Sequence, residues 1–119
     1  MIKVTVLYNP PPETDEEAFI HWRTTTHHAA NVEPPNVIAS DFYRVVGVAG
    51  VGSNRSASNI APFRFITESY RDSYDVFDEA WNKTEEQARL VPAFAKINDA
   101  LPLISEEVQT YRRDEGSGF

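Results

Sequence analysis

The sequence predicts an α+β domain of order β-α-β-β-α-β. Three observations carry that expectation. Four stretches are rich in β-branched and aromatic residues, two stretches show helical periodicity behind capping residues, and the helical stretches follow the first and third strands. A chain of 119 residues has room for one such domain. This order closes into a four-stranded antiparallel sheet with both helices on one face, the ferredoxin-like arrangement.

Ile2, Val4, Val6 and Tyr8 alternate with Lys3, Thr5 and Leu7, which predicts a strand over 2–9. Asn9-Pro10-Pro11-Pro12 ends it, since proline donates nothing to a ladder. Thr14-Asp15-Glu16-Glu17 has the form of a capping box, with the Thr14 hydroxyl accepting from the Glu17 amide. The helix it opens is expected to reach about residue 30, because Phe19, Trp22, Thr26, Ala29 and Ala30 share a stripe. Glu33-Pro34-Pro35-Asn36 breaks the chain, and residues 37–49 read as a second strand with few charges. Gly50, Gly52 and the polar run from Ser53 to Asn59 form a loop. Phe63 to Tyr70 alternates as a third strand. Asp72 or Ser73 caps a second helix that buries Tyr74, Phe77 and Trp81. For residues 84–101 the expectation is one helical turn near 85–90, then an irregular stretch burying Phe94 and Ile97. Leu103 to Tyr111 is the expected fourth strand. Residues 1–111 thus form the domain, and 112–119 a flexible C-terminal tail.

Two helices cover one side of a sheet, yet the strands are apolar on both sides. Phe42, Val46 and Val48 point one way, and Tyr43, Val45 and Ala49 the other. Phe63 and Phe65 are likewise opposed to Ile66 and Tyr70. An uncovered apolar face marks an association surface. A homodimer packed through the sheet faces is the expected solution.

Composition excludes several chemistries. Lys and Arg number 11 against 18 Asp and Glu, a net charge of −7, which disfavours nucleic acid and anionic membranes as partners. No apolar run reaches the length of a bilayer span, and no secretory leader is read after Met1. With no cysteine there is no thiolate metal site and no Cys nucleophile, and a cytoplasmic setting is expected. Gly47-Val48-Ala49-Gly50-Val51-Gly52 does not match a dinucleotide loop, and no P-loop, GxSxG or HExxH is present. The sequence implies no bound organic cofactor.

The three histidines, His21, His27 and His28, all fall on the first helical stretch. With Phe19 at zero, a turn of about 100° per residue puts His21 near about 200° and His28 near about 180°, facing solvent. It puts His27 near about 80°, at the edge of the stripe beside Arg23. His27 and His28 diverge, and His21 and His28 stand about 10 Å apart, so no metal site is expected. His27 reads either as a border histidine bonded to backbone or as a pocket acid/base, since its ordinary pKa suits proton transfer near neutrality. Trp22 is a core anchor or a pocket wall. Tyr8 and Tyr43 are capped buried tyrosines or hydroxyls turned into a pocket. Asp41 and Arg44 read as rim charges, Arg64 and Glu68 as an ion pair on one strand face, and Asp15-Glu16-Glu17 as a solvated first turn.

The strand Met1-Ile2-Lys3-Val4-Thr5-Val6-Leu7-Tyr8, the proline-rich turn, and a helix reading Phe19-x-x-Trp22-x-x-x-x-His27 resemble the EthD family. That family is named for ethyl tert-butyl ether degradation and belongs to the dimeric α/β-barrel superfamily. The resemblance spans residues 1–111 and departs at Ala29-Ala30, where the family commonly has Pro-Leu. It implies two ferredoxin-like sheets forming a shared barrel, each subunit holding an apolar pocket towards which His27 points. Tyr8, Trp22, Tyr43 and Phe65 are the expected pocket lining. The implied function is that of an oxidoreductase or cofactor-free acid/base enzyme acting on a small apolar or aromatic compound in a catabolic or secondary-metabolic pathway. The alternative is a non-catalytic protein that binds a hydrophobic ligand or supports an oxygenase system.

Overall fold

The computed structural model describes residues 1–27, 36–52 and 61–113. The elements are β1 (Ile2–Asn9), α1 (Glu16–Thr24), β2 (Ala39–Arg44), β3 (Phe65–Arg71), α2 (Tyr74–Trp81), α3 (Thr84–Phe94) and β4 (Asn98–Glu106). The four strands form one antiparallel sheet in the order β2-β3-β1-β4. The expected order is present with one helix added.

Register sorts the side chains onto two faces. Ile2, Val4, Val6 and Tyr8 of β1 stand opposite Arg71, Ser69, Thr67 and Phe65 of β3. Adjacent residues alternate sides, so these eight share one face, and the helices cover it. Two buried clusters form there. Ile2, Val4 and Phe77 pack with Trp81 at one end. Tyr8, Phe19 and Phe65 pack with Trp22, Phe42 and Ile97 at the other. Phe65 is fully buried, with ring centroids 5.0 Å from Phe19, 5.5 Å from Phe42 and 5.9 Å from Tyr8.

Several boundaries differ from the expected ones. The cap of α1 is Asp15, whose Oδ1 accepts from the Glu17 amide at 3.0 Å, so Thr14 is not the cap. The helix ends at Thr24, not near residue 30. There the Thr24 hydroxyl donates to the Ile20 carbonyl at 2.8 Å, and the Thr25 hydroxyl donates to that of His21. Three successive β-branched threonines, two of them with hydroxyls bonded to backbone, favour a stop over propagation. The expected positions of Ala29, Ala30 and the solvent-facing His28 lie outside the described residues, as do the Pro34-Pro35 break and the 53–59 loop.

Strand β2 covers 39–44, not 37–49. Its partner β3 begins at Phe65, opposite Arg44, so residues beyond Val45 have no ladder to join. Val46 is accordingly 83% exposed. Residues 84–94 form a full helix in place of a single turn, despite Pro92. That proline lies near the helix end, where only the Ala88 carbonyl loses its donor. Strand β4 spans 98–106, not 103–111. Pro102 sits within it opposite Val6, as an edge strand permits. Tyr111 lies beyond the strand and is exposed. Residues 114–119 of the expected tail lie outside the described residues.

The charges pair differently too. Arg64 does not pair with Glu68. Its Nε and Nη2 donate to the two oxygens of Glu16, each at 2.7 Å, a forked geometry that ties the entry of β3 to the start of α1. Glu16 is therefore not merely a solvated first-turn acid, and Arg64 holds its carboxyl below the usual range. Arg44 reaches Glu17 at 3.0 Å. Glu68 pairs with Lys3 at 2.9 Å on the uncovered face.

Candidate functional site

The two apolar clusters leave a gap between them, and the gap has a sequence cause. The centre of the covered face on β3 carries Thr67 and Ser69, small polar side chains between the larger Phe65 and Arg71. A cavity of about 100 Å³ opens above them, walled by β1, β3, α1, α2 and α3. Val4, Val6, Phe19, Leu90 and Phe94 supply apolar wall, and Trp22 and Trp81 stand on opposite sides of it.

Polar groups enter from the floor and from α1. The Tyr8 hydroxyl and Thr67 Oγ1 share a hydrogen bond of 2.9 Å. Burial pushes the Tyr8 phenol up, against the opposing pull of Thr67 and the Arg23 charge. Arg23 is 5% exposed; its guanidinium lies 4.7 Å from the centre of the Phe42 ring and makes a long 3.5 Å contact with Thr67 Oγ1. Arg71 is 7% exposed and donates from Nη1 to Ser69 Oγ at 2.8 Å. Burial depresses both guanidinium pKa values, yet a guanidinium stays protonated in a protein. Arg89 lines the cavity from α3 and is paired with Glu86.

His27 also lines the cavity, though not by the helical route expected for it. Helix α1 has ended three residues earlier. The His27 amide instead donates to the Trp22 carbonyl at 2.9 Å, folding the turn back on the helix. Its imidazole lies nearly flat on the indole of Trp22, with centroids 4.5 Å apart and planes 17° apart. Desolvation lowers the His27 pKa, and the positive charges of Arg23, Arg89 and Lys96 lower it further. Both effects disfavour the charged imidazolium.

Of the expected lining, Tyr8 and Trp22 meet His27 at the cavity. Tyr43 and Phe65 do not. Tyr43 pairs with Ile66 on the other side of the sheet and is 48% exposed. Phe65 is on the correct side but is buried beneath Tyr8 and Phe19, outside the lining. His21 is exposed, as its angle on the helix required. Sequence reasoning missed Arg23, Arg71, Thr67 and Ser69. The available signals were an arginine inside the apolar stripe of α1 and a row of alternate polar residues on β3. Among the described residues no cluster of three or more His, Cys, Asp or Glu has metal-binding geometry.

No family model matches this chain, and no curated protein matches it. Solved structures do. An ethyl tert-butyl ether (EthD) family protein from Bacillus halodurans aligns over 91% of this chain and 99% of its own, with 23% identity and a TM-score of 0.67. The fold is ferredoxin-like. Hydroxynitrile lyase from Passiflora edulis shares it at 11% identity, covering 93% of this chain and 96% of its own, with a TM-score of 0.68. So does a dimeric ferredoxin-like protein of unknown function from Thermobifida fusca, at 13% identity over 87% and 88%, with a TM-score of 0.56. At these identities the likeness is one of fold. A ferredoxin-like sheet hosts many activities, so the cavity, not the sheet, must carry the functional argument. No helix among the described residues is long and apolar enough to cross a membrane.

Proposed function

We propose that the protein is a small-molecule enzyme that works by proton transfer without a bound organic cofactor, with His27 as its acid/base. The carrying observation is the imidazole held flat on Trp22 at the wall of a mixed cavity, where burial and neighbouring cations disfavour its charged form. A base needs to be unprotonated at the working pH, held in a fixed orientation and open to substrate. The turn at 25–27 and the Trp22 stack supply the second of these. His27 removes a proton from an activated C–H or O–H of a small apolar or aromatic compound. The resulting imidazolium, flanked by cations, returns it readily.

The proposal includes a cytoplasmic homodimer built through the uncovered sheet face. That face presents Leu7, Ile66, Leu101, Leu103 and Tyr43 around the Lys3–Glu68 pair. Leu101 and Leu103 are each 43% exposed. The dimeric neighbour from Thermobifida fusca supports this association. The hydroxynitrile lyase supports small-molecule chemistry on the same fold, and the EthD relative supports a role in catabolism.

The test is deuterium exchange from solvent into a panel of small ketones and 2-oxo acids, followed by NMR with wild type and His27→Ala. Proton transfer by a positioned base contributes about 10²–10⁴-fold, and His27→Ala should lose that factor. An exchange rate unchanged in His27→Ala removes His27 from the chemistry and leaves a binding protein.

A further inference from the structure

We infer that the cavity selects a small organic monocarboxylate, whose carboxylate lies between Arg71 and Arg23 and whose carbon body lies among the apolar wall residues. The inference rests on the cavity being the substrate site and names the substrate class for it. The chain as a whole carries a net charge of −7, yet this wall is positive. Arg23, Arg71 and Arg89 line it, and no Asp or Glu does among the described residues. Glu86 is the acid whose field reaches Arg71, and it is already paired with Arg89. Among the described residues, three guanidinium groups and no carboxylate line the cavity, in an environment that screens poorly.

Arg71 supplies the second, independent observation. It is more than nine-tenths buried, and its Nη1 is taken by Ser69, but its Nε is buried without a partner. Buried charged donors are ordinarily satisfied; Arg71 lines the cavity, so a ligand acceptor that settles against it there would satisfy this donor. Geometry adds a third point. The hydroxyls that touch the two guanidinium groups, Thr67 for Arg23 and Ser69 for Arg71, are two residues apart on one face of β3. Their backbone positions are about 7 Å apart. A carboxylate between them can accept from both sides, and guanidinium groups match carboxylates in shape and charge. The remaining wall, including Val4, Val6, Trp22, Trp81 and Phe94, suits a hydrocarbon body. A volume of about 100 Å³ is below the ~150 Å³ that accepts benzene, so the body is a short chain rather than a ring.

The protein reports on this site itself. Its two tryptophans, Trp22 and Trp81, both line the cavity. Intrinsic fluorescence titrated with butanoate and with the neutral isostere butanamide, at low salt and pH 7.5, compares the anion with the same carbon body. The carboxylate should bind at least tenfold more tightly. Arg71→Gln should erase that preference while keeping the amide affinity, and Arg71→Lys should retain part of it. Equal affinities, tighter amide binding, or an undiminished preference in folded Arg71→Gln would overturn the anion site alone. If neither compound changes the emission, the anion site and the ligand cavity both fail. The wild-type comparison is decisive whether or not Arg71→Gln folds.

Discussion

Phe65→Ala tests the packing on which the site stands. Phe65 is fully buried and touches three rings, those of Phe19, Phe42 and Tyr8, at centroid distances of 5.0, 5.5 and 5.9 Å. Truncation loses the transfer free energy of the ring and leaves a void, together about 3–5 kcal/mol for a buried Phe→Ala change. The three aromatic pairs, at about 0.5–1.5 kcal/mol each, are contained in that figure and place it towards the upper end. For a domain of this size the melting temperature should fall by roughly 12–20 °C. Thermal unfolding followed by circular dichroism, at equal protein concentration for both forms, measures it. Tyr111→Ala, at a residue 81% exposed, is the control and should cost under about 0.5 kcal/mol. A Phe65→Ala cost below about 1.5 kcal/mol would refute the reasoning. Tyr8 and Phe19 would then be held by something other than the ring beneath them.

Two further predictions concern charge and association. His27 should titrate by NMR below the ordinary histidine value, because burial and the charges of Arg23, Arg89 and Lys96 disfavour its imidazolium. The unfolded chain then takes up that proton first, so this histidine's contribution to stability is present above about pH 6.5 and is lost as pH falls towards the folded value. A flat profile in His27→Gln against a sloping wild type checks the sign. Leu103→Glu places a charge on the uncovered face, beside Thr5, and should convert a dimeric mass to a monomeric one in light scattering. A wild type that is already monomeric at micromolar concentration refutes the sheet-face homodimer.

The fold was legible where one period dominated. Strand β1 alternates cleanly, and its bounds match the structure. The ends of α1 and β2 were not legible, because periodicity says where a side chain would point and not whether the element continues. The stripe through Thr26 predicts more helix, but the Trp22 carbonyl that the next helical amide would use accepts from His27 instead, while the hydroxyls of Thr24 and Thr25 bond back onto the last turn. Strand β2 stopped where its partner stopped, a tertiary fact absent from its own residues. The site shows the same division. His27 was identified on a helical angle, and it reaches the cavity through a turn that contains no such angle. Tyr43 was assigned to the pocket on its chemistry alone, and register put it on the far side. Arg71 and Ser69 were invisible because their importance lies in what they face, which only the pairing of β3 with β1 establishes.

Thr67 decides whether the polar row on β3 supports the fold or exists at its expense. Thr67→Val keeps the branched shape, so packing and strand preference are nearly unchanged or slightly improved. What is lost is the hydroxyl that meets Tyr8 at 2.9 Å and Arg23 at 3.5 Å. The Tyr8 hydroxyl belongs to a side chain 3% exposed. Leaving it without that partner costs about 1–3 kcal/mol, against a strand and burial gain of up to about 1 kcal/mol. The net expectation is a loss of about 1 kcal/mol in urea unfolding at an unchanged slope. The Tyr8 phenol should also move further up, since the Thr67 hydrogen bond is what draws it down against burial; an absorbance titration of tyrosinate reads that shift. If Thr67→Val is as stable as wild type or more so, the hydroxyl row does not hold the structure together. An apolar floor would then serve the fold equally well, and the volume and polarity above β3 would be features of the ligand site alone.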